Sequence, residues 1–528
     1  FIAQTLNVSF EDVHVYHYKS TATWEIEVSK NLIISQNNCQ IYGTTRVMAH
    51  ELIELALNLR VPVVRDKIED QYVENSEATR IAQSKQENLK ELFKRWIWSD
   101  LARAERLTKI YNQQYNSLRA RVFDGSHLEF PLMNPEWRSK LRPHQLNAIW
   151  RIVASGNTLI GHAVGAGKTS VAIAASQELK RLGISYKPCL VVMDHLPEQM
   201  ASEAIQMYPQ MCLLIAGSAE MEAKKRRELA SRIATGDWDL IIISHTAFSK
   251  LSLHPDTISQ FLEEESQMVE ADYLAAKSNG QRTKRVMKNL EKKLARLEEN
   301  IDAVANAETK DNTVFFDELG IDWIFYDESQ QVKNLELNTK LNRVLGIPSS
   351  ASYRAKDFFM KTRYMSYKHG ADRGITLMTA TPITNTLAEA WVNQIYLQYK
   401  ALRVKGLLHF DAWVSNFAEV KIGAEITPQG TLEIKSRLAV FNNLPEWRQL
   451  FWQVADILTD DDLNLPKPEK EYITQEVPAT PEQLLFFNYV AQRAETIKAG
   501  RVEPTIDNMP RITTHIRQGV VDLRCLPL

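Results

Sequence analysis

Gly161-His-Ala-Val-Gly-Ala-Gly-Lys-Thr-Ser170 sets the reading of everything around it. Ahead of it, Asn157-Thr-Leu-Ile160 is a short apolar run suited to a buried strand. Behind it, Ser170 to Leu182 places Val171, Ala172, Ala174, Ala175, Leu179 and Leu182 at helical spacing. Strand, glycine loop and helix in that order make a phosphate cradle. Glycines allow positive-φ turns and close backbone approach, and the loop's N–H groups converge on a helix N-terminus whose dipole favours anions. In such a cradle Gly165, Ala166, Gly167, Lys168, Thr169 and Ser170 bind the nucleotide. Lys168 reaches the β- and γ-phosphates, and the Thr169 hydroxyl holds Mg²⁺. The general pattern G-x-x-x-x-G-K-[ST] would have glycine where this chain has His162. Taken alone, the stretch also reads as a glycine turn before a helix with a surface lysine.

Downstream, the chain alternates strand and helix as a doubly wound α/β sheet does. Cys189-Leu-Val-Val-Met193, with Asp194-His195 at its end, is a continuous apolar run expected as a central parallel strand. Cys212 to Ile215, Leu240 to Ile243 and Trp323 to Tyr326 follow. The last of these runs into Asp327-Glu-Ser-Gln330, and paired carboxylates at the tip of an apolar strand are expensive unless they have a task. In a nucleotide site Asp327 holds Mg²⁺ and Glu328 orients and deprotonates the attacking water. A final strand, Gly374 to Met378, leads into Thr379-Ala-Thr-Pro382, whose Thr379 and Thr381 hydroxyls can relay between sites or form an ordinary turn. Upstream, Leu141-Arg-Pro-His-Gln-Leu146 opens a helix. Gln145 is suited to reading an adenine edge with its amide, or is a plain helix-start glutamine.

The sheet pattern breaks from about 256 to 307. Met287, Leu290, Leu294, Leu297, Ile301 and Val304 form a heptad seam, and with Ile258 to Ala276 and the turn Ser278-Asn-Gly280 they predict an antiparallel helical hairpin. Arg282, Lys284, Arg285, Lys288, Lys292, Lys293 and Arg296 face a single acid, Glu291, in that segment. They make either a phosphate-tracking arm or a solvated face.

Residues 1–130 read as an α+β accessory domain, with short strands at Val13 to Tyr16, Trp24 to Val28 and Asn31 to Ile34 and helices at Met48 to Leu59 and Glu87 to Tyr115. Within the first helix, His50-Glu-Leu-Ile-Glu54 lacks the second histidine that a zinc protease helix requires. Residues 131–395 form the ATP-binding lobe, and 396–528 a mostly helical region carrying Trp391, Trp413, Trp447 and Trp452 nearby or within it. Leu465-Pro-Lys-Pro468 reads as a linker, and Pro481 to Ala499 as a helix.

The 528 residues are too many for one core. No apolar run approaches the roughly 20 residues of a membrane span. Cys39, Cys189, Cys212 and Cys525 lack C-x-x-C spacing, so a reducing cytoplasm fits better than a disulfide framework or zinc site. A net charge of -2 does not announce a nucleic-acid binder, though a local basic groove suffices for one. The chain opens at Phe1 without an initiator Met or signal segment and reads as a fragment of something longer.

Assembled in order, these residues resemble the Snf-type branch of superfamily-two helicases and DNA translocases. Leu141 to Gln145 is similar to its glutamine motif, Val164 to Thr169 to motif I, Leu190 to His195 to Ia, Asp327 to Gln330 with Lys333-Asn334 to II, and Thr379 to Pro382 to III. Ser329 and Gln330 stand where the DEAH form has Ala-His. The resemblance implies a RecA-like first motor lobe using ATP and Mg²⁺ on DNA, with Gln145 at the adenine and Thr379 and Thr381 in coupling. More narrowly, His162 to Thr169, Tyr42-Gly-Thr44, Asp124-Gly125 and Arg517 to Arg524 resemble bacterial, phage and plasmid proteins that join an adenine-specific DNA methyltransferase to such a helicase, some of them in antirestriction or phage defence. No Asn-Pro-Pro-Tyr-like motif and no Q-x-x-G-R-like element occurs, so neither the methyltransferase nor a complete second lobe is expected within these residues.

Overall fold

The apolar runs after residue 157 have no polar face to turn to water, and in the computed structural model they pair as one parallel sheet covered on both sides. The structure describes the chain apart from residues 30–34, 69–70, 117–120, 218–222, 279–283, 306–313, 342–343, 348–351, 427–431, 464–470, 472, 499–500, 504–505 and 527–528. In chain order the strands are β1 (Val13–Tyr18), β2 (Thr23–Val28), β3 (Arg65–Ile68), β4 (Gln71–Glu74), β5 (Thr158–His162), β6 (Pro188–Val192), β7 (Leu213–Ala216), β8 (Leu240–Ser244), β9 (Trp323–Tyr326), β10 (Val344–Leu345), β11 (Ile375–Met378), β12 (Ala418–Ile426), β13 (Leu432–Phe441) and β14 (Ala455–Leu458).

The main sheet has the order β14-β5-β11-β9-β6-β8-β7, with every neighbouring pair parallel. Period-two alternation divides its residues between two cores. Leu159, Cys189, Val191, Ile241, Ile243, Ile324 and Tyr326 face one way, while Ile160, Leu190, Val192, Leu240, Ile242, Trp323 and Phe325 face the other. A one-residue slip in any strand would exchange its two faces, which fixes the register and therefore the positions of the strand ends. The doubly wound parallel sheet expected from the sequence is thus the sheet observed.

The chain divides into two compact units, residues 1–421 with 438–465, and residues 422–437 with 466–528. In the first, β1 and β2 form an antiparallel hairpin and the helix Ala49–Leu57 packs Leu52 and Ile53 against Leu6, Ile26 and Leu89. His50 bonds through its ring and backbone N–H to Asn38 Oδ1, and the Glu54 carboxylate accepts the Ile26 N–H at 3.0 Å. The single helix expected over Glu87 to Tyr115 is two, Ser76–Trp98 and Leu101–Tyr111. Asp100 between them turns extended and accepts the Arg103 N–H at 2.7 Å, the bond of an N-cap that starts a new helix.

Pro255–Ser278 and Lys284–Ala305 make the helical hairpin, with Leu262, Val269, Ala276, Leu290 and Leu297 buried along the seam. The turn at Asn279 and Gly280, the Asn31 to Ile34 run, and the Leu465 to Pro468 linker lie outside the described residues. Tyr18 of β1 joins the hairpin's apolar cluster, and Lys293 Nζ donates to Ser20 O at 3.1 Å. Lys293 also pairs with Glu265 at 3.3 Å, and Arg296 with Glu336. For these two cations, intramolecular partners favour the solvated structural face over the phosphate-tracking arm. Arg282 lies outside the described residues.

After residue 387 helices predominate, including Ala388–Leu397, Phe410–Phe417 and Leu444–Phe451. Within this stretch, expected to be mostly helical, Ala455–Leu458 instead returns to the main sheet as β14, beside β5. That pairing covers what would otherwise be an open edge of β5 next to the glycine loop. In the second unit the helices Pro481–Lys498 and Met509–Val521 pack around Val490, Ala494 and Ile512. No helix among the described residues is long and apolar enough to cross a membrane.

Candidate nucleotide site

Parallel strands end on the same side, so β5, β11 and β9, adjacent in the sheet, deliver the glycine loop, Thr379 and Asp327-Glu328 to one edge. At the usual strand spacing, β5 and β9 lie about 10 Å apart, a span that a phosphate chain with a cation can bridge. Order reverses here, β5 leading back across β11 and β9 to β6, and open α/β sheets bind ligands at such switch points.

The loop is built as its glycines require. Gly165 has φ +80° and open space where a Cβ would be, and Gly167 has φ +79° and caps the helix Lys168–Arg181. A Cβ on Gly167 would lie 2.2 Å from Gln145 Nε2. The reason is that Gln145, expected at the adenine, is buried against the loop: its Nε2 donates to Ala166 O at 3.2 Å and Gly167 O at 3.4 Å, while its Oε1 accepts the Arg142 N–H at 2.8 Å. His144, given no role by its sequence context, bonds the same Ala166 carbonyl through Nε2 at 3.0 Å.

Lys168 Nζ folds back into the loop, donating to His162 O at 2.8 Å and Ala163 O at 3.2 Å. Burial holds its pKa below the ordinary lysine value, and the negative charges of Asp327 and Glu328 act against that fall. Lys168 and the adjacent pair Asp327 and Glu328, far from it in sequence, therefore share one electrostatic neighbourhood. Asp327 is held by its backbone N–H on Val191 O at 2.9 Å, and its carbonyl accepts the His245 Nε2–H at 2.9 Å. That bond fixes the His245 tautomer, and burial lowers the ring's pKa to about 4, so it is neutral at pH 7. Burial, then repulsion by Glu328, raises the Asp327 carboxyl to about 6; Lys168 opposes the rise. The Asp327 carboxyl at the end of β9 and the Thr169 hydroxyl at the start of the helix after β5 are oxygen donors of the kind hard divalent cations take. The positive-φ loop and the ammonium at its centre suit phosphate oxygens, so the residues present fit Mg²⁺ and ATP.

Glu328 adopts φ +52°, ψ +53°, a left-handed conformation that strains a non-glycine residue by on the order of 1–3 kcal/mol. Its carboxylate accepts a hydrogen bond from Gln330 Nε2, and Gln330 Oε1 accepts the Thr379 hydroxyl at 2.8 Å. Thr379 Oγ1 in turn accepts the Thr381 N–H at 3.0 Å. An amide donates at one end and accepts at the other, so Gln330 joins the acid of one strand end to the hydroxyl of the next. Beyond it, Lys333 Nζ bonds Thr384 Oγ1 at 2.8 Å and pairs with the buried Glu389 at 3.1 Å.

Comparison with known proteins adds family and relatives to this geometry. Residues 150–459 match a family described as a probable helicase domain, and residues 1–117 match one described as a domain of unknown function. The chain is 22% identical over 454 residues to "Defense against restriction protein B" of Escherichia phage P1. That alignment covers 77% of this chain but 20% of the phage protein, so the chain spans about a fifth of that relative's length. Among solved structures, the Sulfolobus solfataricus SWI2/SNF2 ATPase core in complex with dsDNA aligns over 75% of this chain and 59% of its own, at 15% identity and a TM-score of 0.34.

Proposed function

Since the chain belongs to the probable helicase domain family, we propose that it is the ATP-binding first lobe of a DNA-dependent ATPase, a helicase or translocase. The observation that carries the reading is the meeting of Lys168 with Asp327 and Glu328 at one sheet edge. Thr169 and Asp327 would hold Mg²⁺, which when bound neutralises charge on the phosphates. Gly165, Ala166, Gly167 and Ser170 offer backbone N–H groups to the phosphate chain, and Lys168 leaves His162 O and Ala163 O to meet it. Glu328 orients water and takes its proton. Gln330 connects that acid to Thr379 and, through it, to Thr381, a route by which DNA engagement would bias the position of Glu328.

In the same proposal Gln145 contacts adenine, for which its amide must exchange loop carbonyls for the base. DNA is the polymer partner. The phage relative's name places that protein in defence against restriction, and we extend a restriction or antirestriction setting to this chain, including an adenine methyltransferase domain in the same parent protein. Sequence flanking these residues in the natural gene tests that extension directly.

The decisive experiment measures ATP hydrolysis by the whole natural protein with DNA present. Lys168→Ala and Glu328→Gln should each lower turnover by at least about 10²-fold. Unchanged turnover in either ends the motor reading. One observation favours a second reading, a DNA-binding or scaffolding segment with a degenerate nucleotide site: both ends of the Gln145 amide are already engaged by the chain. No ATP affinity in a titration with Mg²⁺ would select it.

A further inference from the structure

His162, the residue that replaces the pattern's first glycine, is fully buried, and its Nε2 lies 2.9 Å from Asp456 Oδ2 on β14. A carboxylate accepts, so Nε2 carries the hydrogen. The other ring nitrogen, Nδ1, is buried with no hydrogen-bond partner, which leaves Asp456 as the polar contact that fixes the ring. The His144 ring stands edge-on at 5.8 Å and itself grips the loop at Ala166 O.

Backbone contacts tie the same strand to the loop. β14 pairs in parallel with β5, placing Leu458 opposite His162, and the Ala163 N–H donates to Leu458 O at 3.0 Å. Gly161 leaves no slack: a Cβ there would meet Pro382 Cγ at 2.8 Å and Ile457 Cγ1 at 3.1 Å. The carbonyls that receive the Lys168 ammonium belong to His162 and Ala163. The two residues β14 holds are therefore the two that seat the phosphate-binding lysine. Arg151, whose Nη2 donates to Trp452 O at 2.7 Å just before β14, is close enough to Asp456 to feel its charge, which opposes the effect of burial on the guanidinium.

We infer that Asp456 is a positioning residue for the nucleotide loop, acting through His162 to set the carbonyl pair from which Lys168 is released to phosphate. The inference rests on the proposed ATPase reading and adds to it a residue nearly 300 positions away from the loop. Removing the carboxylate frees a ring with no other polar anchor, so the ground-state seat of the lysine loosens while Glu328 and Thr379 stay where they are.

The test uses the whole natural protein with DNA. Asp456→Ala should raise KM for ATP about tenfold while kcat stays within about twofold, and Asp456→Asn, whose amide oxygen still accepts the His162 Nε2–H, should recover most of that loss. In a His162→Leu background, Asp456→Ala should add nothing further to KM, because the intermediary is gone. Two results overturn the inference: KM unchanged in Asp456→Ala, with or without a fall in kcat and melting temperature, or an equal KM effect of Asp456→Ala in both backgrounds. If His162→Leu does not fold, the split between KM and kcat in Asp456→Ala and its recovery in Asp456→Asn still decide. Lys168→Ala run alongside separates the two levels: if it leaves turnover intact, the ATPase reading fails by itself, whereas a loss there with an unmoved KM at Asp456 sinks only this inference.

Discussion

The sheet edge at β5, β11 and β9 and the helical hairpin at 255–305 are both rich in charge, and they treat it in opposite ways. On the hairpin, Lys293 and Arg296 are matched to Glu265 and Glu336, and Arg296 remains largely open to water. At the sheet edge, Lys168, Asp327 and Glu328 are drawn out of water without a salt bridge among them: burial pushes the lysine's pKa down and the aspartate's up. Paired surface charge adds little to stability and asks nothing of a ligand. Charge held partly buried and incompletely matched is costly, and such groups gather where a ligand supplies the missing partner. The contrast separates two basic or acidic segments that composition alone leaves equivalent.

The strongest way to break the contrast is Glu328→Gln. If the strained, left-handed acid is there for chemistry, the variant should lose about 10²- to 10⁴-fold in turnover while still binding ATP. Removing the charge should also leave the ligand-free protein no less stable, since repulsion toward Asp327 goes with it. Thermal melting beside steady-state kinetics reads both. A variant that unfolds but whose folded fraction turns over normally would place Glu328 with the structural charges.

A smaller effect is expected at Gln330. Its amide is the middle of the Glu328–Gln330–Thr379 chain, so Gln330→Ala should cut DNA-stimulated hydrolysis by about 10- to 100-fold and leave ATP binding near its original strength, as loss of a charged-acceptor hydrogen bond of roughly 1.5–3 kcal/mol would do. Gln330→Glu places a second acid beside the first and should be worse. Equal basal and stimulated rates in Gln330→Ala and the parent would show the chain of bonds to be incidental.

How far this site could be read beforehand follows from where its information sits. The loop, the two acids and the two threonines lie on contiguous motifs at strand ends, and continuous apolar runs such as Leu240 to Ile243 announce a sheet buried on both faces. Gln330 was legible as a departure from Ala-His but not as a bridge, because a bridge needs the spacing between β9 and β11. His144 and Asp456 were illegible for a like reason. Each acts through a contact formed only after distant segments pack, and Asp456 sits in a four-residue strand inside a helical stretch, where its only signal is one acid in the run Val454 to Leu458. The Asp100 break was missed because a capping aspartate between two amphipathic runs leaves the helical period nearly undisturbed.

Acidity sharpens the contrast further. Asp327 has a folded pKa of about 6 against an ordinary 3.8, raised first by burial and then by Glu328. A cation needs the carboxylate, so Mg²⁺-dependent ATP affinity should weaken as pH falls through about 6. For the ligand-free protein the sign is opposite. With the folded pKa above the unfolded one, this group's stabilising contribution is complete below the unfolded value and is lost as pH rises through about 6. In Glu328→Gln the midpoint for Mg²⁺–ATP binding should move down, toward the ordinary carboxylate range. A midpoint that stays in place would mean burial alone sets it.

The smallest effects belong to the hairpin, and their smallness is the prediction. Arg296→Ala removes a partner of Glu336, which keeps Lys356 as its second cation. Stability should fall by no more than about 1 kcal/mol, and less at high salt. Lys293→Ala also removes a bond to Ser20 O beside the β1–β2 turn, so its effect should be somewhat larger, yet still small beside any variant at the sheet edge. DNA affinity measured against salt concentration is the sharper readout. A residue that contacts phosphate carries about one unit of the slope of log K on log salt, while one committed to an intramolecular acid carries almost none. An unchanged slope in both variants keeps the hairpin's matched charges structural. A slope reduced by about one unit would show that Lys293 or Arg296 exchanges its acid for DNA, and the division between matched and waiting charge would then have to be drawn elsewhere in the molecule.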